Sequence, residues 1–242
     1  TSAYSQHFGG TVDGSLASVV EVLNRVNAVF ERDLGIHLTL AEDNDKIMFT
    51  DPASDPYVLP AGNDDFNFTR QQNVRTLNQI IGNANFDIGH LFDIAEGGGV
   101  IDAAACQDNI KADAGSGLTP GSDALLSKEK FIRVVTHEIG HQVGASHTFN
   151  GCTRSEEEGE TAYEPGSGSS IMSYAGECFL ATENPPRLNP LHNLQNLKDM
   201  YFHAKNIEQI RSFIAGPGAA CGIRRDNPRR PPVITTPSGK TA

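Results

Sequence analysis

The sequence predicts an α/β fold, and three observations predict it. Between residues 14 and 34 apolar side chains recur at helical spacing, then give way to alternation over residues 36–40. The same change of period, from about 3.6 to about 2, recurs where residues 69–84 pass into residues 87–94. A third helical stripe at residues 128–144 precedes a long Gly-, Ser-, Glu- and Pro-rich region, and helical spacing resumes only near residues 204–214. The expectation is a mixed sheet carrying helices, followed by a small irregular part with a terminal helix.

Residues 1–13 show no pattern. The first helix carries Leu16, Val19, Val20, Leu23, Val26, Asn27 and Phe30 on its stripe, with Ser15 as a cap and Gly35 as its stop. His37 falls on the solvent side of the strand that follows, and residues 46–50 form a short extended piece. Residues 51–68 are rich in Asp, Pro, Gly and Asn and read as loop. Val74, Leu77, Ile80 and Ile81 line the second helix, and Ile88, Leu91 and Phe92 give the next strand its apolar content. His90 is assigned a structural place there. The run Gly97-Gly98-Gly99 opens onto Val100 and Ile101, which suggests either a bulged edge strand or a plain turn. An edge strand over Gly98, Gly99, Val100 and Ile101 could bind an extended peptide by strand addition. Residues 111–126 are irregular. Phe131, Val134, Val135, Ile139 and Val143 form the core face of the third helix. From residue 223 the chain is Arg- and Pro-rich without periodicity, a tail or linker.

The 242 residues can bury a substantial core without help from disulfides. Net charge is −11 and unevenly placed: residues 1–222 hold 14 basic and 29 acidic groups, a net −15. So acidic a surface argues against nucleic acid as a partner. No apolar run is long enough to span a membrane. The sequence opens at Thr1 without a signal segment, so a leader or pro-segment is expected to have been removed. Cys106, Cys152, Cys178 and Cys221 contain no C-x-x-C pair and allow three pairings, and two disulfides in a secreted, monomeric protein are expected.

Chemistry concentrates at His137-Glu138-Ile139-Gly140-His141-Gln142-Val143-Gly144-Ala145-Ser146-His147. On a helix, residues four apart share a face, so His137 and His141 can offer two imidazoles to one ion. Gly144 ends the helix at no steric cost, and His147 can then return as a third ligand. Three neutral nitrogens and one open position suit a catalytic zinc. Glu138 borders the same face without having to be a ligand.

This motif, with Ile171-Met172-Ser173-Tyr174 downstream, resembles the metzincin zinc endopeptidases. Within them the chain is similar to the bacterial reprolysin-like group, relatives of the adamalysins. Residues 27–40, His147-Thr148-Phe149-Asn150-Gly151, Glu164-Pro165-Gly166-Ser167-Gly168 and Tyr201-Phe202-His203 carry the closer likeness. The resemblance implies a metzincin fold over residues 1–222, with an upper subdomain of residues 1–144 and a lower one of residues 145–222. It implies Met172 as a floor beneath the metal and Tyr174 as a group able to reach the metal or the oxyanion. Thr148 stands where adamalysins have aspartate. Position relative to the motif implies disulfides Cys106–Cys221 and Cys152–Cys178, and a structural calcium is implied with Asp93 among its ligands. The activity implied is zinc-assisted hydrolysis of protein or peptide substrates, with Glu138 as general base. The alternative is a zinc-bearing adhesion or binding module with little turnover, against which the intact Glu138 argues. A hydrolase of non-peptide amides is the third class, and the specificity-setting loop is expected at residues 174–186.

Overall fold

The longest helix of the computed structural model, α2 (Val12–Leu34), is framed by two local signals. Thr11 caps it by accepting from Gly14 N at 3.0 Å, and Gly35 closes it in the left-handed conformation at φ 69°. The structure describes residues 1–58, 66–95, 97–100, 103–152, 159–178, 189 and 191–226, without the side chains of residues 66–68 and 100. Ser15 is not the cap. It lies buried inside the helix and donates to Thr11 O at 2.8 Å. The buried stripe is also rotated, for Val22 and Val29 are buried and Val20 is exposed. Apolar residues occupy over half of this helix's circumference, so periodicity alone could not choose the face.

Helix α1 (Ser2–His7), unmarked in the sequence, precedes it and buries Tyr4, whose hydroxyl bonds Ser18 Oγ at 2.7 Å. Residues 36–40 form no ladder. Their backbone is held by a side chain instead: Asn27 Nδ2 donates to Leu38 O at 2.9 Å, and Leu38 N donates to Asn27 Oδ1 at 2.8 Å. Beside this segment lies a cavity of about 1150 Å³ whose lining includes Ile36, Leu38, Leu40 and Leu91. The extended piece expected at residues 46–50 begins within a 3-10 turn, Asn44–Ile47, entered through Asp43 at φ 61°. Helix α3 (Phe66–Ile80) starts and stops earlier than its stripe suggests, and Gly82 at φ 87° turns the chain away.

The three-stranded sheet has the order β1 (Leu91–Asp93), β3 (Ala114–Gly117), β2 (Gly98–Val100). β1 runs parallel to β3 and β2 antiparallel, so Gly115 pairs with both Leu91 and Gly99. β3 falls where an irregular segment is expected. Its four residues, Ala-Gly-Ser-Gly, lack the branched and aromatic side chains that mark strands. They are small because both faces are covered: all four are buried, and α4 (Ala124–Gln142) packs across them. β1 is shorter than the expected strand, since residues 87–89 bond the loop 106–111 through Cys106 N to Asp87 O and Gly89 N to Lys111 O, each 2.8 Å.

Helix α4 begins four residues before its apolar stripe, capped by Asp123 accepting from Leu126 N at 3.0 Å. Phe131, Ile132, Val135 and Ile139 from α4 join Val22, Val26 and Phe30 from α2 in one core. Val134, expected there, is half-buried. Beyond α4, β4 (Phe149–Gly151) and β5 (Glu164–Gly166) pair in parallel, with a register shift at Asn150. Helix α5 (Ala204–Ala215) returns Ile210 and Phe213 to the core. Disulfides join Cys106 to Cys221 and Cys152 to Cys178.

Candidate metal centre

The last turns of α4 bring His137 and His141 onto one face, and both are 5% exposed. Gly144 then breaks the helix at φ 93°, and Ala145 N returns to Gly140 O at 3.0 Å. A β-carbon at Gly144 would stand 2.9 Å from Phe213 Cβ, so space and conformation both require glycine. The chain reverses and carries His147 back beside the other two. The three Nε2 atoms lie 3.1, 3.1 and 3.3 Å apart.

Hydrogen bonding sets what these nitrogens offer. His137 Nδ1 meets Ile171 O at 2.7 Å, and His141 Nδ1 meets Ala145 O at 2.7 Å. A carbonyl oxygen can only accept, so each Nδ1 carries the proton and each Nε2 presents a lone pair. Burial, then the neighbouring His141, hold the His137 pKa well below the ordinary histidine value. Lone pairs converging at this range repel unless a cation lies among them. Ligands roughly 2.0–2.1 Å from a tetrahedral zinc ion stand about 3.3–3.4 Å apart, so the donor set fits that ion. Among the described residues these three histidines alone form a metal-capable group.

Glu138 lies next to His137 on α4 and is 8% exposed. Burial raises its pKa to about 7, against the opposing charges of His141 and Lys198. Gly98 of β2 crosses above it, and a β-carbon there would come within 2.6 Å of Glu138 Oε1. Met172 is fully buried in a turn, and its carbonyl accepts from Thr148 N at 3.1 Å. Its sulfur would touch a β-carbon at Gly140 at 2.7 Å, so the motif's inner glycine lets the turn approach the helix. Tyr174 is half-buried, stacked on Phe149 at 4.4 Å between ring centroids and 4.8 Å from His147.

Other candidates stand apart. Gly98 and Gly99 lie in β2 at one end of the sheet, while Ile101 lies outside the described residues, as do residues 179–186 of the expected specificity loop. His90 bonds Gln142 Oε1 at 2.8 Å and Ser116 Oγ at 2.9 Å, a structural role. Asp93 accepts from Thr1 Oγ1 at 2.5 Å and from Ile94 N at 2.8 Å, and joins no metal-capable group among the described residues. Three residues near the site are assigned no role by the sequence. Gln142 is fully buried and links α4 to His90. Lys198 is buried, pairs with Glu177 at 2.5 Å and lies 5.7 Å from the Tyr174 ring centroid. Glu164 is buried beside Thr148. Gln142 fills an unfixed position inside the histidine motif, Lys198 sits in no motif, and Glu164 opens the segment 164–168 that carries the closer likeness without any mark of its own role.

A family profile described as metallo-peptidase family M12B, reprolysin-like, matches residues 1–199. No curated protein gives a significant match to the sequence. The small mixed sheet with its helices is consistent with that family. The chain belongs to the reprolysin-like M12B metallopeptidases, with His137, His141 and His147 as its zinc-binding set.

Proposed function

We propose that this protein is a secreted zinc endopeptidase that hydrolyses internal peptide bonds, with Glu138 as general base. The observation that carries this reading is the convergence of three Nε2 lone pairs beside the buried Glu138 carboxyl group. When bound, zinc supplies the positive charge that acidifies water and draws electron density from a carbonyl oxygen. Glu138 takes a proton from the attacking water as its oxygen adds to the scissile carbonyl carbon. It returns that proton to the amine nitrogen as the C–N bond breaks. Burial raises the Glu138 pKa, and the positive charge of a bound ion would lower it again, which leaves the group ionised and ready to accept the proton. The Tyr174 hydroxyl donates to the developing oxyanion, and its ring's place beside His147 supports that role. The substrate backbone extends β2 along Gly98, Gly99, Val100 and Ile101, which the end position of β2 in the sheet favours.

Residues 1–222 form the catalytic unit, divided near Gly144, and residues 223–242 a tail. Two disulfides support an oxidising compartment, and no described helix is long and apolar enough to cross a membrane. The enzyme acts as a monomer.

Casein cleavage with zinc assayed on the same sample tests this. Cleavage is expected to vanish with a chelator and return with zinc. Glu138→Ala is expected to keep its zinc and fold while turnover falls by at least about a hundredfold. Retained turnover would take the base role from Glu138. One zinc per chain without cleavage would favour the binding module, and a folded chain that refuses zinc would sink the reading.

A further inference from the structure

Glu164 opens β5 and is 7% exposed, yet five donors converge on its carboxylate. Thr148 Oγ1 and Ser170 Oγ reach Oε2 at 2.5 Å each. Ser169 N and Ser170 N reach Oε1 at 2.9 Å, and Ser169 Oγ reaches it at 3.3 Å. Burial pushes the pKa of this group up, but the Ser170 and Thr148 hydroxyls and the two backbone N–H groups outweigh it and hold the value below the ordinary range. The group is therefore a carboxylate at neutral pH.

Both ends of this cluster adjoin the metal centre. Thr148 directly follows the ligand His147. Ser170 directly precedes Ile171, whose carbonyl accepts from His137 Nδ1 at 2.7 Å. The backbone reinforces the link, since Thr148 N donates to Met172 O at 3.1 Å and Glu164 N donates to Thr148 O at 2.8 Å. One carboxylate thus spans from the neighbour of one ligand to the neighbour of the group that orients another. Plain space-filling under a turn would be met by an apolar side chain, which needs no donors.

We propose that Glu164 is a positioning residue of the metal centre: its carboxylate fixes the His147 segment against the Ile171 carbonyl and so holds His137 and His147 at the separation that an ion requires. The inference rests on the zinc reading above. Groups bonded directly to metal ligands characteristically set affinity, and Glu164 acts on that shell through the segments that carry His147 and the Ile171 carbonyl. A residue that merely stabilises the fold would lower stability and leave the affinity of the folded protein unchanged.

The test measures zinc dissociation constants by chelator competition, and the visible spectrum of the cobalt-loaded protein, for the wild type and four variants. Glu164→Ala is expected to weaken zinc by about ten- to a hundredfold and to alter the cobalt spectrum. Glu164→Gln keeps an acceptor for the two backbone N–H groups and is expected to recover most of the affinity. Thr148→Val, which removes one donor of the five, should fall between. Leu77→Ala, in the separate cluster of Leu77, Ile81, Phe86 and Ala112, should lose stability while binding zinc like the wild type. Wild-type affinity and an unchanged spectrum in folded Glu164→Ala would overturn the proposal. If that variant does not fold, wild-type affinity in Thr148→Val overturns it instead. A wild type that binds no zinc would fail the zinc reading, which is a separate outcome.

Discussion

A methyl group at Gly98 would collide with Glu138 Oε1, Cγ and Cδ at 2.6–2.8 Å, and with no backbone atom among its nearest neighbours. The carboxyl side chain must therefore yield rather than the strand. Gly98→Ala is expected to lower kcat by about a hundredfold, as misplacement of a reacting group by roughly 1 Å can do. Zinc content and melting temperature should stay near wild type, and kinetics with metal analysis on one preparation would show it. His90 supports a second prediction. Burial lowers its pKa to about 4, whereas the unfolded chain takes up this proton near the ordinary 6.5. Between those values the unfolded state binds more protons, so acidification from pH 7 toward 4 lowers stability, by at most about 3 kcal/mol and less for the part of the ring that water reaches. His90→Gln is expected to flatten that slope, read from urea midpoints at pH 7 and pH 5. At this scale the sequence was informative where spacing alone defines the arrangement, as for His137, His141, Gly144 and His147. It was silent on Gly98 above Glu138 and on Glu164 behind Thr148, because those contacts join segments 40 and 16 residues apart through no fixed spacing.

Helices α2, α4 and α5 were legible because each carries an apolar stripe over several turns and a capping residue at an end. Their faces were less so: Val134 and Val20 gave way to Ile132 and Val22 once neighbouring elements chose the contact. Strands failed in both directions. Residues 36–40 alternate yet pair with the Asn27 side chain, while β3 pairs on both sides without any alternation. Strand pairing depends on what arrives alongside, and three- or four-residue strands leave little pattern. Asn27 thus does for residues 36–40 what a neighbouring strand does elsewhere. Asn27→Ala removes both bonds to Leu38 and is expected to cost about 2 kcal/mol. A lower urea midpoint and faster protease nicking within residues 36–40 would reveal it, and unchanged nicking would mean that other contacts hold the segment.

Across the whole molecule the two disulfides act over different ranges. Cys106–Cys221 spans 115 residues and ties the loop before β3 to the segment just beyond α5. Loop-closure entropy assigns it about 4–5 kcal/mol, against about 3.5 kcal/mol for Cys152–Cys178, which spans 26 residues. The shorter bridge nevertheless lies nearer the chemistry, since Cys152 and Cys178 pack with Phe149 and Tyr174 beside His147. Replacing both Cys106 and Cys221 by alanine is expected to lower the urea midpoint most and leave kcat at 25 °C near wild type. Replacing Cys152 and Cys178 should lower kcat more than stability. Equal effects on kcat would deny the shorter bridge its special place. The path of the main chain also sets how freely this centre can vary between generations. The proton on His137 and the proton on His141 are each claimed by a carbonyl oxygen, of Ile171 and Ala145, and every amino acid supplies one. Side chains at 145 and 171 can therefore drift without disturbing ligand tautomers, and mutational risk shifts to whatever bends the chain there.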